Sequence, residues 1–305
     1  MKILYYDCFS GISGDMNLGA LLDLGVSPDT LISGLQKLNT GGWRLEITRD
    51  QRHGITGTKV TVITDDDHDH DHDHDHDHGS GHEHSNSHEN RNLSDIEEII
   101  TGSGLEAEVK ELAMKIFRKI AEAEAAVHDR PIDEIHFHEV GAIDSIIDIV
   151  GAAICLNDIG ADRVYVSEIE LGSGMVKCQH GLLPVPAPAT ARIISGFPVH
   201  TGGVGFEATT PTGAAIISAV AEPLPPSMNF IILKSGYGVG HKNNPSRPNL
   251  LRVYLAETES EPEKGHEAKL VECNVDDMNP EMTEYIAGRL FAAGAGDVWF
   301  TPVIM

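Results

Sequence analysis

Apolar positions along this chain change their period several times, and each change predicts an element. Residues 2–6, KILYY, form a short continuous apolar run, which predicts a buried opening strand. A Gly-Ser turn then leads into a short helix over 15–24. Residues 43–49 and 57–63 alternate apolar and polar, the two-residue period of strands. From Leu93 the period lengthens to that of a helix. The segment 106–127 is long and amphipathic, and 142–158 is almost wholly apolar, which predicts burial. Between 163 and 256 short strand-like runs alternate with Gly-rich turns and two short helices. Further on, KLVECNV predicts a strand, 281–293 a helix and DVWFTPVIM another strand.

This order implies a mixed α/β (α+β) fold: a main domain over 1–256 built on a mixed sheet, a polar linker at 257–267 (ETESEPEKGHE), and a further unit at 268–305. That last unit reads as a ferredoxin-like β-α-β fragment, too small to cover both its faces, and is expected to be the truncated start of a domain. Inside the main domain, 65–92 has no apolar side chain to bury and predicts a solvated, disordered His/Asp-rich loop.

Charge narrows the function. The 305 residues carry 22 Lys and Arg against 47 Asp and Glu, a net charge of -25. Discounting the ten acids between Asp65 and Glu89 still leaves acids well in excess. Such a surface repels phosphate backbones and anionic lipids, which argues against nucleic-acid or membrane partners. The start of the chain lacks a signal-peptide pattern, and no run approaches the ~18 apolar residues of a membrane span. The four cysteines form no CxxC pair, which points to a reducing cytoplasm.

Four segments could carry chemistry. Nine histidines lie between His68 and His88, and His68, His70, His72, His74, His76 and His78 alternate with aspartate. Neutral imidazole suits nickel, zinc or copper. A flexible chain can wrap such an ion without imposing one geometry, so capture or storage is expected here; an inert solubilising loop is the alternative. The second segment is HFHEVGAIDSIIDIVGAA. His136 and His138 point to one side of an extended chain, Glu139 follows, and Asp144 and Asp148 share a helical face. Carboxylates on so apolar a helix are costly to bury unless paired or bound to a cation. The third is DCFSGISGDM, a strand end turning into a helix start, whose backbone N–H groups suit an anion and whose Asp7 and Asp15 could face a metal or a hydroxyl; an ordinary capped turn is the alternative. It lacks the Lys of a GxxxxGK[ST] loop. The fourth is a set of turns, HGLLPVPAPAT, TTPTGAA and GYGVGHKNNPSRPNLLRV. They offer the hydroxyls of Thr210 and Thr212, the proton-transferring His180 and His241, and three bases, Lys242, Arg247 and Arg252, placed for an anionic ligand or for salt bridges.

In order, DCFSGISGDM, HFHEVGAIDSIIDIVGA, LGSGMVKCQHGLLPVPAPAT, TPTGAA, GYGVGHKNNPSRPNLLRV and NVDDMNPE resemble the LarC family of nickel-insertion proteins over almost the whole chain. The resemblance implies insertion of Ni2+ into pyridinium-3,5-bisthiocarboxylic acid mononucleotide, dependent on CTP with Mg2+ or Mn2+, to make the nickel-pincer cofactor of lactate racemase-type enzymes. It implies a cyclometallase of the lyase class that hands its product to a racemase-type apoenzyme. In the family the region beginning near NVDDM continues further and is associated with CTP, metal and oligomer formation. CTP binding by this chain alone is therefore expected to be weak, and the chain is expected to work as a homo-oligomer or with the missing part. Chemistry then suggests His136, His138 and Glu139 as nickel ligands or base and Asp144 and Asp148 beside the metal. Asp7, Asp15, Thr210, Thr212, Lys242, Arg247 and Arg252 would face the substrate, the three bases its phosphate. A non-catalytic nickel store or metallochaperone is the competing class.

Overall fold

A computed structural model of the protein describes residues 1–64, 91–135, 137, 141–178, 180–259 and 269–302. The chain divides into two compact units, Met1–Glu261 and Pro262–Met305. The first runs β1 (Lys2–Asp7), α1 (Gly14–Leu24), α2 (Pro28–Gln36), β2 (Trp43–Arg52), β3 (Ile55–Thr64), α3 (Leu93–Thr101), α4 (Ala107–His128) and, after a 3₁₀ turn at Ile132–Glu134, α5 (Ile143–Ile159). It continues with β4 (Arg163–Val166), β5 (Ile169–Glu170), β6 (Met175–Cys178), β7 (Gly181–Pro184), α6 (Pro188–Ile193), β8 (Val199–His200), α7 (Pro211–Val220), β9 (Glu222–Pro223), β10 (Ile231–Val239) and β11 (Leu250–Glu257).

Among the described residues, seven strands form one mixed sheet in the order β2-β3-β10-β11-β1-β4-β9. β1 is central, parallel to β4 and antiparallel to β11. Its apolar run is buried on both faces: Leu4 and Tyr6 enter the main core, and Ile3 joins Tyr165 and Ala256 in a small second cluster. Helix α1 lies on the sheet against β10 and β3, α5 packs on α1, and α4 covers α5. The close seating of α1 requires a bare backbone beneath it. A Cβ on Gly238 of β10 would come within 2.7 Å of the Met16 carbonyl carbon. In return α1 buries Leu18 and Leu21 completely, each contributing at most about 1.5–3 kcal/mol.

The apolar helix expected near 142–158 is α5, with its Ile, Val and Ala side chains buried. Helix α2 was not expected. Its signal was present: Ser27 caps by accepting from Asp29 N–H, Pro28 opens the first turn, and Leu31 and Leu35 are buried. The solvated loop was expected to run through 92. Instead Arg91 and Asn92 are tied down: Asn92 caps α3 in a reciprocal box with Asp95.

The second unit also departs from expectation. Its helix is present as α8 (Met282–Ala292), but the described residues on either side, 269–275 and 297–302, form no strand. A strand needs a neighbour to satisfy its backbone groups, and the described residues of this unit show no such pairing. No side chain of α8 is buried, and Tyr285 and Trp299 stand exposed.

Candidate functional site

The site forms where the parallel strands β1 and β4 end. Antiparallel β11 begins and β10 finishes at the same edge, so four segments converge there. After Asp7 the chain turns through Cys8–Ser13 and enters α1. Gly11 takes φ +84 and passes tightly under Ala208. Ile12 pairs with Thr209, and its carbonyl accepts from Thr210 N–H at 3.0 Å. Thr210 in turn caps α7, its hydroxyl accepting from Gly213 N–H at 3.2 Å, and Thr212 is buried within the first turn. The starts of α1 and α7 are thereby fixed side by side.

At the start of α1 the acids are arranged unequally. Asp15 accepts from the Ser13 hydroxyl through one oxygen, and His241 Nε2 stands 3.2 Å from the other. Asp148, on α5, presses its carboxyl against Gly14. Asp148 Oδ1 is enclosed and has no hydrogen-bond partner among the described residues, although the residue as a whole keeps some contact with solvent. Burial, first, and then the charges of Asp15 and Asp144 push its pKa well above the usual carboxylate range. Asp144 is exposed in the first turn of α5.

The three bases are not equally available. Arg252 faces Asp7 across the β1–β11 pair, donating through Nε at 2.9 Å and through Nη2, and its guanidinium lies over Phe9 and Tyr254. Arg247 Nη1 donates to Glu170 Oε2 at 2.8 Å and to the Phe9 carbonyl at 2.9 Å. Both guanidinium charges face carboxylates. Lys242 lies over the Phe206 ring and donates to the Glu207 carbonyl at 3.4 Å.

Glu170 escaped the sequence reading. Its side chain is only 1% exposed, and it collects contacts from four loops. Oε1 accepts from Gly172 N–H at 2.8 Å and Gly203 N–H at 3.3 Å, and its carbonyl accepts from the Thr209 hydroxyl at 2.7 Å. His200 stands 3.7 Å from Oε2. An acid between Ile169 and Leu171 was the available clue, since a carboxylate in an apolar run must have a partner. His180 meets His128 instead of the α1 start in its ring contact, at 4.9 Å between centroids.

His136, His138 and Glu139 lie outside the described residues, as do His68, His70, His72, His74, His76 and His78. Their flanks are described. Phe137 N–H donates to the Arg91 carbonyl at 3.0 Å, and Arg91 Nη1 donates to the Gly141 carbonyl at 2.9 Å. Arg91 is thus bonded to Phe137, between His136 and His138, and to Gly141, two residues beyond Glu139. Among the described residues no group of three or more His, Cys, Asp or Glu could hold a metal ion, and no helix is long and apolar enough to cross a membrane.

The chain is an α/β protein with acids, an imidazole and the starts of two helices gathered at one sheet edge. The model of the family described as nickel insertion protein matches residues 4–305. A pyridinium-3,5-bisthiocarboxylic acid mononucleotide nickel insertion protein from Clostridium kluyveri is 50% identical over 306 residues, covering 100% of this chain and 74% of its own. Proteins of the same description from Clostridium acetobutylicum and Akkermansia muciniphila are 50% and 47% identical, with 76% and 72% of their lengths covered. No solved structure matches. The chain belongs to the nickel insertion protein family.

Proposed function

We propose that this chain is an enzyme that inserts nickel into pyridinium-3,5-bisthiocarboxylic acid mononucleotide. The observation that carries the reading is the nickel insertion activity named for relatives about half identical to this chain along its entire length. The sheet-edge site supports it. The burial of Asp148 among other acids leaves a carboxyl with an unpartnered oxygen there, and the Arg91 hydrogen bonds join the end of the His-rich stretch to the segment that bears His136, His138 and Glu139. In this reading the His-rich stretch captures Ni2+, and His136, His138 and Glu139 receive it beside Asp144 and Asp148. Lys242 draws the substrate phosphate while Thr210 and Thr212 line its approach. Arg247 and Arg252, each beside a carboxylate, brace the surrounding turns and add their charge to that of Lys242 toward the phosphate.

The finer parts of the reading belong with it. The reaction consumes CTP with Mg2+ or Mn2+, the enzyme is a cyclometallase of the lyase class, and it acts in the cytoplasm. The nickel-pincer product passes to a racemase-type apoenzyme, and the working form is an oligomer. Following the substrate's absorbance with nickel, with and without CTP, tests the reaction. A spectral change that requires substrate, protein and nickel together is expected. Nickel bound to protein with the nucleotide unchanged would instead make the chain a store.

A further inference from the structure

We propose that the β2–β3 turn is a clasp for the loop between β10 and β11, with Arg52 and His53 as its positioning residues. The consequence for insertion rests on the reading above, in which Lys242 of that loop draws the substrate phosphate.

Lys242 sits between two attachments that come from outside its loop. On one side Arg52 Nη2 donates to the Gly240 carbonyl at 2.8 Å. On the other His53 Nε2 meets the Asn244 carbonyl at 2.6 Å, and because a carbonyl only accepts, the ring nitrogen donates. Arg52 is itself anchored: its side chain is 10% exposed, and Nη1 donates to Asp50 Oδ2 at 2.8 Å and to the Gln51 carbonyl at 2.9 Å. Asn249 closes the loop from within. Its carbonyl accepts from Gly240 N–H at 3.1 Å, and its Nδ2 donates to the Lys242 carbonyl at 3.2 Å. Gly240 has to be bare for this, since a Cβ there would lie 2.4 Å from Asn249 Nδ2. The Lys242 side chain is exposed over the Phe206 ring and forms no ion pair among the described residues. Its direction is therefore set by the backbone on either side of it.

His53 stands where the turn itself favours another residue. His53 and Gly54 both take positive φ, 49 and 83, the two-residue hairpin turn that prefers Asn followed by Gly. Histidine tolerates that conformation without improving the turn. What the imidazole adds is reach to Asn244, which the shorter asparagine side chain lacks.

His53→Asn in the full chain separates the turn from the clasp, because it suits the turn and withdraws the donor. The variant should unfold at or above the wild-type temperature. Trypsin cleavage of the folded chain after Lys242, followed by mass spectrometry, reads opening of the loop; Arg247 precedes Pro248 and resists cleavage. Loss of one hydrogen bond predicts cleavage roughly 2- to 10-fold faster. KM for the nucleotide should rise by a similar factor with kcat nearly unchanged, because a phosphate contact is made equally before and during insertion. His53→Gln, whose amide donates over a similar reach, should return both values toward wild type. Arg52→Met keeps the stem without the donors and should speed the same cleavage. Cleavage of His53→Asn at the wild-type rate would overturn the clasp. Faster cleavage with KM unchanged, while Lys242→Ala raises KM, would overturn the positioning role. If Lys242→Ala also leaves KM unchanged, or the wild type makes no product, the reading of the site fails instead and the cleavage rate alone decides the clasp.

Discussion

Gly14 and Asp148 meet with no side chain between them: a Cβ on Gly14 would stand 2.6 Å from the Asp148 Cβ. Two effects oppose each other in Gly14→Ala. Helix propensity favours alanine by about 1 kcal/mol, whereas overpacking costs about 1–3 kcal/mol. Helix α5 is anchored by a fully buried Ile, Val and Ala face and cannot easily retreat, so overpacking wins. Urea unfolding should show net destabilisation, and insertion should slow because Asp148 is displaced.

Asp148 should make stability depend on pH in a definite direction. Its folded pKa is raised by burial and by Asp15 and Asp144, so the folded state holds its proton more tightly than the unfolded state. Wild-type stability therefore declines as pH rises above the ordinary carboxylate value of about 4, until the folded pKa is passed. Asp148→Asn removes that decline. With metal chelated, the variant should be the more stable at neutral pH, and the difference should vanish near pH 4. Thermal unfolding across that range checks it.

Glu170→Ala should be the most damaging change at the rim. It leaves Arg247, a third of its side chain exposed, without its carboxylate, and it frees Gly172 and Gly203 N–H groups. Losing a charged hydrogen-bonded pair that is mostly enclosed costs about 2–3 kcal/mol. A double-mutant cycle with Arg247→Ala should return a coupling of order 1 kcal/mol or more, read from denaturant midpoints. Additive losses would show that the pair is not coupled.

Removing the His-rich stretch between 66 and 88 should separate supply from reaction. The stretch contributes no apolar side chain, and shortening a surface loop changes closure entropy little, so the unfolding temperature should hold. Insertion in abundant nickel should persist and insertion in scarce nickel should fall. Nickel held by the intact stretch should be released as pH drops through about 6.5, because protons compete for the same imidazole nitrogens. Equilibrium dialysis measures both.

What was readable in the sequence was whatever a local period or motif controls. The buried strand at 2–6, the amphipathic α4 and the apolar α5 each follow from spacing alone. The strands expected around α8 failed for a non-local reason, since an apolar run becomes a strand only when a neighbour pairs with it. Asp7, Asp15, Asp148, Thr210 and Thr212 stood out in the sequence as candidate site residues of three separate segments. Which of them have partners was not legible there. Arg252 finds Asp7 across 245 positions and Arg247 finds Glu170 across 77, separations that no local pattern encodes.

The central claim is that this chain changes the nucleotide as well as binding nickel. Mass spectrometry of the small-molecule fraction, taken after incubating protein, Ni2+, CTP and pyridinium-3,5-bisthiocarboxylic acid mononucleotide and filtering the protein away, tests it most directly. The account predicts a species heavier by one nickel, less the displaced protons, with the nickel isotope pattern and absent when protein is omitted. Unchanged nucleotide in the filtrate, with the nickel retained on the protein, would contradict it.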